Sequence, residues 1–378
     1  MEDASSLVDL KIVNGTVLTM STAGEILERG TVSVHNGSIH GVTSEAGDLP
    51  ARKVIDAKGK LVMPGLVNTH THSPMSCFRG LSDDLPLMEW LEKHIFPAEG
   101  LFVDSGLAYW GSMLSCLEMM LSGTTTFADG YFFEENVAQA VLDSGLRAVV
   151  CQGVVDFPAP GVPDPSENVR RAVQLIREWG NRNSRVRCGI FAHSTYTCSP
   201  ETLSRAKAAA NEHEALLFIH LSETRDEIKQ IEERFGCTPV RHLENLGIMD
   251  HRTVGVHCVW LTDEDMDLIA RRDMGVSYTP ESEMKLASGV APIPELIRRG
   301  VAVSLGTDGP ASNNDMDMFT EMDVSAKLQK VHNLDPTCAS ARETVWMATL
   351  GGARVLGMEN EVGSIEPGGS FIWIVQKS

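Results

Sequence analysis

The chain has 378 residues, of which 43% are hydrophobic and 22% are charged, so its length suits one large core with a small appendage. Its formal net charge of -19 argues against nucleic acid as a partner, and no apolar run reaches the roughly 18 residues that a membrane helix requires. Because the start, MEDASSLVDL, lacks the basic and apolar regions of a secretory signal, and because the eight cysteines form no C-x-x-C pair, we expect a cytoplasmic protein without disulfides.

The first 60 residues predict a small antiparallel sheet. Short β-type runs such as VDLKIVNGTVLTM, GTVSVHNGSIHGV and ARKVIDAKGKLVMPG are separated by turn signals. Two of these signals, Asn14-Gly15 and Asn36-Gly37, are strong cues for a hairpin between strands of alternating residues. We therefore expect the chain to turn back on itself at both Asn-Gly pairs.

From residue 61 onward, short apolar runs alternate with amphipathic stretches such as ENVRRAVQLIREWG and ETLSRAKAAANEH. Each crossover is long enough for a parallel β-α-β connection, and continuous apolar runs are typical of strands buried on both faces. Eight such runs favour closure into a (β/α)8 barrel over a doubly wound open sheet, since no G-x-G-x-x-G motif follows the first run. The predicted strands are 61–70, 124–129, 147–153, 186–193, 215–220, 253–258, 274–280 and 301–308.

Six polar residues fall at or just before the ends of these runs, namely His70, Asp129, His193, His220, His257 and Asp308. In a barrel, the carboxyl ends of the strands meet at one mouth, where the active site lies. A single histidine after a strand is more often an ordinary turn residue. However, His70 and His72 share one face of their strand, and three histidines with a carboxylate suit a hydrolytic zinc centre that keeps one position for water.

The segment HLSET places Glu223 three residues after His220. Taken alone, Glu223 fits a solvated carboxylate at the start of a helix, where the local dipole stabilises it. Beside a metal centre, the same carboxylate is close enough to transfer protons without being a ligand. We favour the second interpretation because the candidate ligands are spread over several strands whose ends converge.

The motifs PGLVNTHTHSPMSCFRG, HLSE, HC and GTDGPASNN, in this order, resemble those of the amidohydrolase superfamily, in its cytosine deaminase-like branch with a single metal. The stretch GLSDDLPLMEWLEKHIFPAE narrows the resemblance to methylthioadenosine/S-adenosylhomocysteine deaminases. The resemblance implies a (β/α)8 barrel at residues 61–364 and a small β-sandwich built from residues 1–60 and 365–378. Because Ser370-Phe371-Ile372 replaces the usual Ala-Asp-Leu and the chain stops soon afterwards, we expect either a sandwich that is reduced at its C-terminal side or a chain that has been shortened.

The resemblance also implies a role for each candidate residue. Zn2+, or Fe2+ as the alternative, would bind once per subunit to His70, His72, His220 and Asp308. Glu223 would carry a proton from the metal's water to the ring nitrogen and onward to the departing amine, His257 would steer the water, and Asp308 would take its proton. The implied substrate contacts are Glu99, His193, Glu223, Ser312 and Trp90.

The implied activity is zinc-dependent hydrolysis of the C-N bond of a cyclic amidine, releasing ammonia from adenosine, 5'-methylthioadenosine or S-adenosylhomocysteine. One alternative is a deaminase or chlorohydrolase acting on another heterocycle, such as guanine, cytosine or a triazine. Another is a metal-binding scaffold without turnover, although such a scaffold has no use for Glu223. The expected partners are a small nucleoside and, from the frequency of symmetric assemblies, further copies of the chain.

The chain departs from the family pattern after the seventh run. Tyr278, Thr279 and Glu283 stand where the family usually has His, Asn and Asn. We expect Glu281 and Glu283 to lie near the barrel mouth, where they would disfavour anionic groups; the alternative is that both carboxylates point to water. An arginine that some relatives direct at the homocysteine carboxylate has no counterpart in FPAPGVPDPSENVRR, which weakens the case for S-adenosylhomocysteine.

Overall fold

The computed structural model describes residues 7–21, 23–44, 49–369 and 373–377. Eight parallel strands, β6 to β13, pair in chain order and form a nearly closed barrel, which confirms the predicted fold and excludes the open doubly wound sheet. The barrel closes between its first and last strands, because the Asp308 backbone N–H, just beyond β13, donates to the His70 carbonyl at 3.0 Å. The barrel strands are β6 (Leu66–Thr71), β7 (Thr124–Tyr131), β8 (Arg147–Val154), β9 (Val186–Ser194), β10 (Leu217–Leu221), β11 (Thr253–His257), β12 (Gly275–Tyr278) and β13 (Val303–Leu305).

The barrel strands are continuously apolar because both of their faces are covered. Every residue of β10, β11 and β12 is buried, with one face toward the barrel interior and the other against the surrounding helices. The two amphipathic stretches of the sequence form α5 and α6, as predicted. The helices are α1 (Leu87–Trp90), α2 (Phe96–Phe102), α3 (Ser105–Ser122), α4 (Glu134–Ser144), α5 (Asn168–Trp179), α6 (Pro200–Glu212), α7 (Arg225–Phe235), α8 (Pro239–Asn245), α9 (Asp263–Arg271), α10 (Pro280–Lys285), α11 (Ile293–Arg298), α12 (Met318–Asn333), α13 (Ala341–Met347) and α14 (Leu350–Val355).

A separate six-stranded sheet contains strands from both ends of the chain. It is mixed rather than antiparallel, because β4 and β5 both run parallel to β1, whereas β2, β3 and β14 pair antiparallel with their neighbours. Residues 370–372, on which the expected departure near the C-terminus falls, lie outside the described residues. The strands are β1 (Val8–Leu18), β2 (Ile26–His35), β3 (Ser38–Thr43), β4 (Ala51–Asp56), β5 (Lys60–Pro64) and β14 (Trp373–Lys377).

The two Asn-Gly pairs of this sheet have different structures. Asn36-Gly37 joins β2 to β3 with positive φ angles of 51° and 76°, as a tight hairpin requires, which confirms the prediction. The hairpin predicted at Asn14-Gly15 is wrong, since β1 continues through it with a shift in register. Asn14 adopts a φ of 63°, and a Cβ on Gly15 would lie 2.8 Å from Val62, so the pair forms a bulge packed against β5.

Among the described residues, no helix combines the length and the apolar character needed to cross a membrane.

Candidate active site

All four predicted metal ligands converge at the C-terminal end of the barrel. His70 and His72 lie at the end of β6, His220 on β10 and Asp308 after β13. Asp308 Oδ1 is 3.3 Å from His70 Nε2 and 3.2 Å from His72 Nε2, and His220 Nε2 is 3.3 Å from His70 Nε2. All four ligand atoms lie within 4.8 Å of one another, which is the spacing of atoms that share one ion.

The protonation of this cluster suits a divalent cation. Burial lowers the pKa of His70 to about 4 and lowers the pKa of His220 well below its ordinary value, so both rings are neutral near pH 7 and offer a lone pair. Burial opposes ionisation of Asp308, but its hydrogen bonds to His70 and His72 outweigh burial and hold its pKa well below 3.8. Burial lowers the pKa of His72, but Asp308 outweighs this and raises it. Three imidazoles with one carboxylate are a donor set that zinc accepts, and a cation that binds a protonated imidazole displaces its proton.

Neighbouring groups fix the orientation of the ligands. His72 Nδ1 lies 2.5 Å from the Gly130 carbonyl, to which it donates, and this leaves Nε2 free for a metal. Asp308 Oδ2 accepts hydrogen bonds from the hydroxyls of Ser282 and Ser312 at 2.6 and 2.9 Å. The predicted substrate contact Ser312 does line the cavity, but its hydroxyl is directed at Asp308.

The backbone at several strand ends has an unusual conformation. Asp308, His257 and Ser222 have positive φ angles of 61°, 72° and 54°, a conformation that costs non-glycine residues about 1–3 kcal/mol each. Such residues persist where the surrounding structure fixes them, and they cluster at functional sites. Here the strain turns the chain at the ends of β10, β11 and β13 and directs side chains into the barrel mouth.

Glu223 and His257 form a second, titratable pair beside the cluster. Glu223 Oε2 is 3.8 Å from His257 Nε2, and burial raises the pKa of Glu223 to about 7. Burial lowers the pKa of His257, but the charges of Glu223, Glu283 and Asp308 outweigh this and raise it to about 9. On its other side, His257 Nδ1 is 2.8 Å from Thr279 Oγ1, a contact that the sequence analysis did not predict.

Glu281 and Glu283 are not among the residues that line the cavity, although Glu283 contacts His257, which does line it. Glu283 is buried behind His257, with Oε1 3.7 Å from Nδ1. The backbone N–H of Glu281 faces Glu321 on α12 at 3.4 Å. These positions follow from α10, which begins at Pro280 and distributes its side chains around a helix rather than along a strand.

A cavity of about 370 Å3 extends outward from the cluster. The predicted substrate contacts Glu99, His193, Glu223, Ser312 and Trp90 all line it. Burial raises the pKa of Glu99 to about 7, and Tyr131 donates a hydrogen bond of 2.7 Å to its Oε1. Burial lowers the pKa of His193 to about 3, so its ring is neutral, with Nδ1 3.0 Å from Thr197 Oγ1. Burial therefore shifts both Glu99 and His193 toward their uncharged forms.

The sequence analysis did not predict the aromatic wall of the cavity. The rings of His220 and His193 are 4.9 Å apart, His193 is 6.2 Å from Phe96, and Phe96 is 5.2 Å from Phe157. His193 and His220 were predicted as polar residues at strand ends, but no local pattern marked Phe96 and Phe157, which come from two further segments of the chain. Asp129, in contrast, was predicted at the mouth but lies behind it, where its Oδ1 accepts hydrogen bonds from Thr71 and Ser73.

Comparison with known proteins adds independent findings. Residues 61–375 match the amidohydrolase family. The chain is 47% identical to a 5-methylthioadenosine/S-adenosylhomocysteine deaminase of Syntrophobacter fumaroxidans, over 96% of this chain and 83% of that protein. It is 45% identical to a 5'-deoxyadenosine deaminase of Methanothermobacter thermautotrophicus, over 92% of this chain and 82% of that protein. The crystal structure of an adenosine deaminase from Xanthomonas campestris with bound zinc has a TM-score of 0.95 and 35% identity, over 98% of this chain and 85% of that one.

Proposed function

The chain belongs to the amidohydrolase family, and from this premise we propose that it is a metal-dependent deaminase of adenosine-type nucleosides. The reaction converts adenosine or a 5'-modified adenosine to the inosine analogue and ammonia. One observation carries the proposal: Glu223, a buried carboxyl with a pKa of about 7, faces the same cavity as the cluster of three histidines and Asp308. The names of the relatives support it.

We propose that the cluster holds one Zn2+ per subunit, through His70, His72, His220 and Asp308. The neutral rings of His70 and His220 and the ionised carboxylate of Asp308 fit this ion, and the zinc in the Xanthomonas campestris structure supports the choice, although Fe2+ accepts the same donors. When bound, zinc supplies a Lewis acid that lowers the pKa of a water molecule to about 7.

The protein's own groups move the protons. Because its pKa is near 7, Glu223 exists in both forms at neutral pH, so it can protonate the purine nitrogen beside C6 and later deliver a proton to the amine. His257 is protonated below pH 9 and orients the water by donating a hydrogen bond, while Asp308 accepts the proton that the water loses. As the C6–O bond forms, the water gives one proton to Asp308 and Glu223 gives its own proton to the ring nitrogen. Glu223 then takes the proton of the new C6 hydroxyl and passes it to the amine, the C6–N bond breaks and ammonia leaves. The proton held by Asp308 returns to Glu223, which restores both carboxyl groups.

We propose that Glu99 and His193 bind the hydroxyls of the ribose and that Trp90 covers the pocket, while Ser312 acts through Asp308. The part of the wall around Phe96 and Phe157 then faces the 5' substituent. Among the described residues that line the cavity, there is neither lysine nor arginine. Lys285, beside the lining residue Leu286, is held by Asp83 at 2.7 Å and by two further oxygen atoms. A homocysteine carboxylate would therefore be buried without a cation, so we propose a preference for uncharged 5' substituents.

The test is ammonia release by the zinc-loaded protein from adenosine, 5'-methylthioadenosine, 5'-deoxyadenosine, S-adenosylhomocysteine, guanine and cytosine. We expect turnover of the first three, with kcat/KM at least about tenfold lower for S-adenosylhomocysteine, as expected for a loss of roughly 1.4 kcal/mol or more. Release from guanine or cytosine alone would favour the alternative heterocycles, and release from none would refute the proposal.

The role of Glu223 has a separate test. We expect Glu223→Gln to keep stoichiometric zinc and to lose about 10²- to 10⁴-fold in turnover, the range typical of acid/base catalysis. Glu232→Gln makes the same chemical change at an exposed position of α7 and serves as the control. Near-normal turnover of Glu223→Gln, or an equal loss in the control, would contradict the assignment.

Three further proposals concern the chain as a whole. Residues 61–364 would form the catalytic domain, and residues 1–60 with 365–378 the small domain; the separate six-stranded sheet supports this division. The protein would work in the cytoplasm, a reducing compartment that its eight free thiols fit. It would also associate with further copies of itself, as most soluble oligomers do.

A further inference from the structure

A second cavity lies at the N-terminal end of the barrel, where the strands begin. Its volume is about 650 Å3, which is within the range of roughly 300–1,000 Å3 that is typical of small-molecule sites. Arg187 is the second residue of β9, Leu216 directly precedes β10, and Arg252 directly precedes β11. These three strands carry His193, His220 and His257 at or near their other ends, so the second cavity and the candidate active site lie at opposite ends of the barrel.

The charge of the second cavity is opposite to that of the whole chain. The chain has 51 acidic and 32 basic residues. Among the described residues that line the cavity, the basic ones outnumber the acidic ones: the basic residues are Arg177, Arg187, Arg252, His213 and His251, and the acidic residue is Glu214. A concave site lined mainly by cationic groups attracts anions, even on a protein whose net charge is negative.

Two of the three arginines have donors to spare. Arg177, in the last turn of α5, is exposed and has no ion pair among the described residues, whereas Arg171 of the same helix pairs with Glu135. Arg252 approaches Glu214 with one nitrogen atom, at 3.4 Å. Since each guanidinium carries five N–H donors, Arg177 and Arg252 can bind a further acceptor.

Arg187 is held more firmly. It donates a hydrogen bond of 3.0 Å to the Gly357 carbonyl and pairs with Glu361, which Arg147 also approaches at 3.9 Å. Two guanidinium groups therefore share one carboxylate. The four arginines and their two carboxylate partners leave an excess of two positive charges at this end of the barrel.

A histidine of the second cavity also lacks a partner. His213 directly follows α6, and its Nε2 atom is buried without a hydrogen bond. Buried polar side-chain atoms are nearly always paired, so an unpaired one beside a cavity indicates a place for a polar ligand atom. The remaining lining is largely apolar, with Val149, Ile176, Ala215, Leu216 and Leu356.

We propose that the second cavity binds a phosphate group, either as the free ion or as part of a small organic molecule. The planar forks of guanidinium groups match the oxygen atoms of phosphate. A phosphate monoester carries a charge of about -1.5 to -2 at pH 7, which balances the excess of two positive charges. The apolar lining would contact the carbon part of an organic phosphate. The proposal does not depend on the reaction at the other end of the barrel.

The experiment is titration calorimetry of the zinc-loaded protein with inorganic phosphate, ribose 5-phosphate and ribose, at constant ionic strength. We expect one phosphate-dependent site, and a dissociation constant that rises about tenfold or more in Arg177→Gln, because charge-assisted hydrogen bonds are lost. In Glu214→Gln the constant should fall about 1.5- to 5-fold, the effect of removing one exposed like charge. Tighter binding of ribose 5-phosphate than of phosphate would identify an organic phosphate as the ligand, and equal binding would identify the free ion.

Two control variants make the same chemical changes outside the second cavity. Arg271 is also an exposed arginine without an ion pair among the described residues, in the last turn of α9, so Arg271→Gln has the same effect on a helix dipole as Arg177→Gln. Glu232→Gln is the control for Glu214→Gln. Neither control should change the dissociation constant. Any phosphate bound at the proposed metal site would be equal in all of these proteins, because no substitution lies there.

Three results would overturn the proposal: no saturable binding of phosphate or ribose 5-phosphate by the wild type, an unchanged constant in Arg177→Gln, or an equal loss in Arg271→Gln. Binding of ribose alone as tightly as ribose 5-phosphate would also refute it, because the phosphate group would then contribute nothing. Circular dichroism and zinc content on the same samples show whether each variant is folded. If Arg177→Gln proves unfolded, Arg252→Gln replaces it with the same expected loss.

Discussion

The substitution Glu99→Gln tests whether ionisation of the buried Glu99 carboxyl destabilises the folded protein, as its burial implies. Burial raises the pKa of this carboxyl from 4.5 to about 7, and the hydrogen bond from Tyr131 does not offset it. Since the folded protein holds the proton more tightly than the unfolded chain, this contribution to stability is complete below pH 4.5 and is lost as the pH rises through about 7. The side-chain amide of the variant would accept the same hydrogen bond without ionising.

The size of the effect follows from the pKa difference. One pKa unit is worth about 1.4 kcal/mol, so between pH 5 and pH 8 the wild type loses on the order of 2–3 kcal/mol that Glu99→Gln keeps. At about 2.1 cal/mol/K of unfolding entropy per residue, this corresponds to roughly 3 °C for a chain of this length. We therefore expect the melting temperature of Glu99→Gln, relative to the wild type, to be about 3 °C higher at pH 8 than at pH 5.

The assay is thermal unfolding of both proteins at the two pH values, with the same zinc loading. Glu92→Gln is the matched control, since Glu92 lies in the same helical segment and lines the cavity but is exposed. It should show no comparable dependence on pH. A difference between Glu99→Gln and the wild type that is equal at pH 5 and pH 8 would refute the argument, because the Glu99 carboxylate would then ionise without cost.

Two further predictions concern the groups behind the proposed metal ligands and behind His257. Ser282→Ala removes a hydrogen bond to Asp308 Oδ2, so the dissociation constant for zinc should rise about 10- to 100-fold in a competition with a chelator; an unchanged constant would contradict this. Thr279→Val removes the partner of His257 Nδ1, so kcat should fall by about tenfold or more at unchanged zinc content, because a hydrogen bond to a charged group is worth roughly 1.5–3 kcal/mol. Zinc loss in Thr279→Val would instead assign this residue to the metal site.

The barrel and the cluster were predictable for one physical reason. Strands buried on both faces must be apolar throughout, so the polar residue that ends such a run is conspicuous, and the barrel brings the ends of its strands together. His70, His220 and Asp308 were found in this way, although they are far apart along the chain. Asp129 shows the limit of the argument, since it has the same sequence signal but lies behind the cavity.

The sequence could not decide two positions whose local pattern has two structural solutions. Asn14-Gly15 suits a hairpin and a bulge equally well, and only the packing of Gly15 against β5 selects the bulge. Glu283 suits a solvent-facing acid and a buried partner of His257, and only the direction of α10 decides between them. In both cases the deciding contact is with a residue distant in sequence.

The sequence by itself determined the architecture and the chemical inventory of this protein: eight buried strands, a histidine or an aspartate at the ends of most of them, and an acid three residues beyond His220. Tertiary structure decided which of these groups touch, which aromatic rings line the cavity, and the raised pKa of Glu223. The reason is that hydrophobic periodicity in the sequence indicates which face of a single helix or strand is buried. The desolvation of a side chain and its contacts depend instead on the other helices and strands that pack against it.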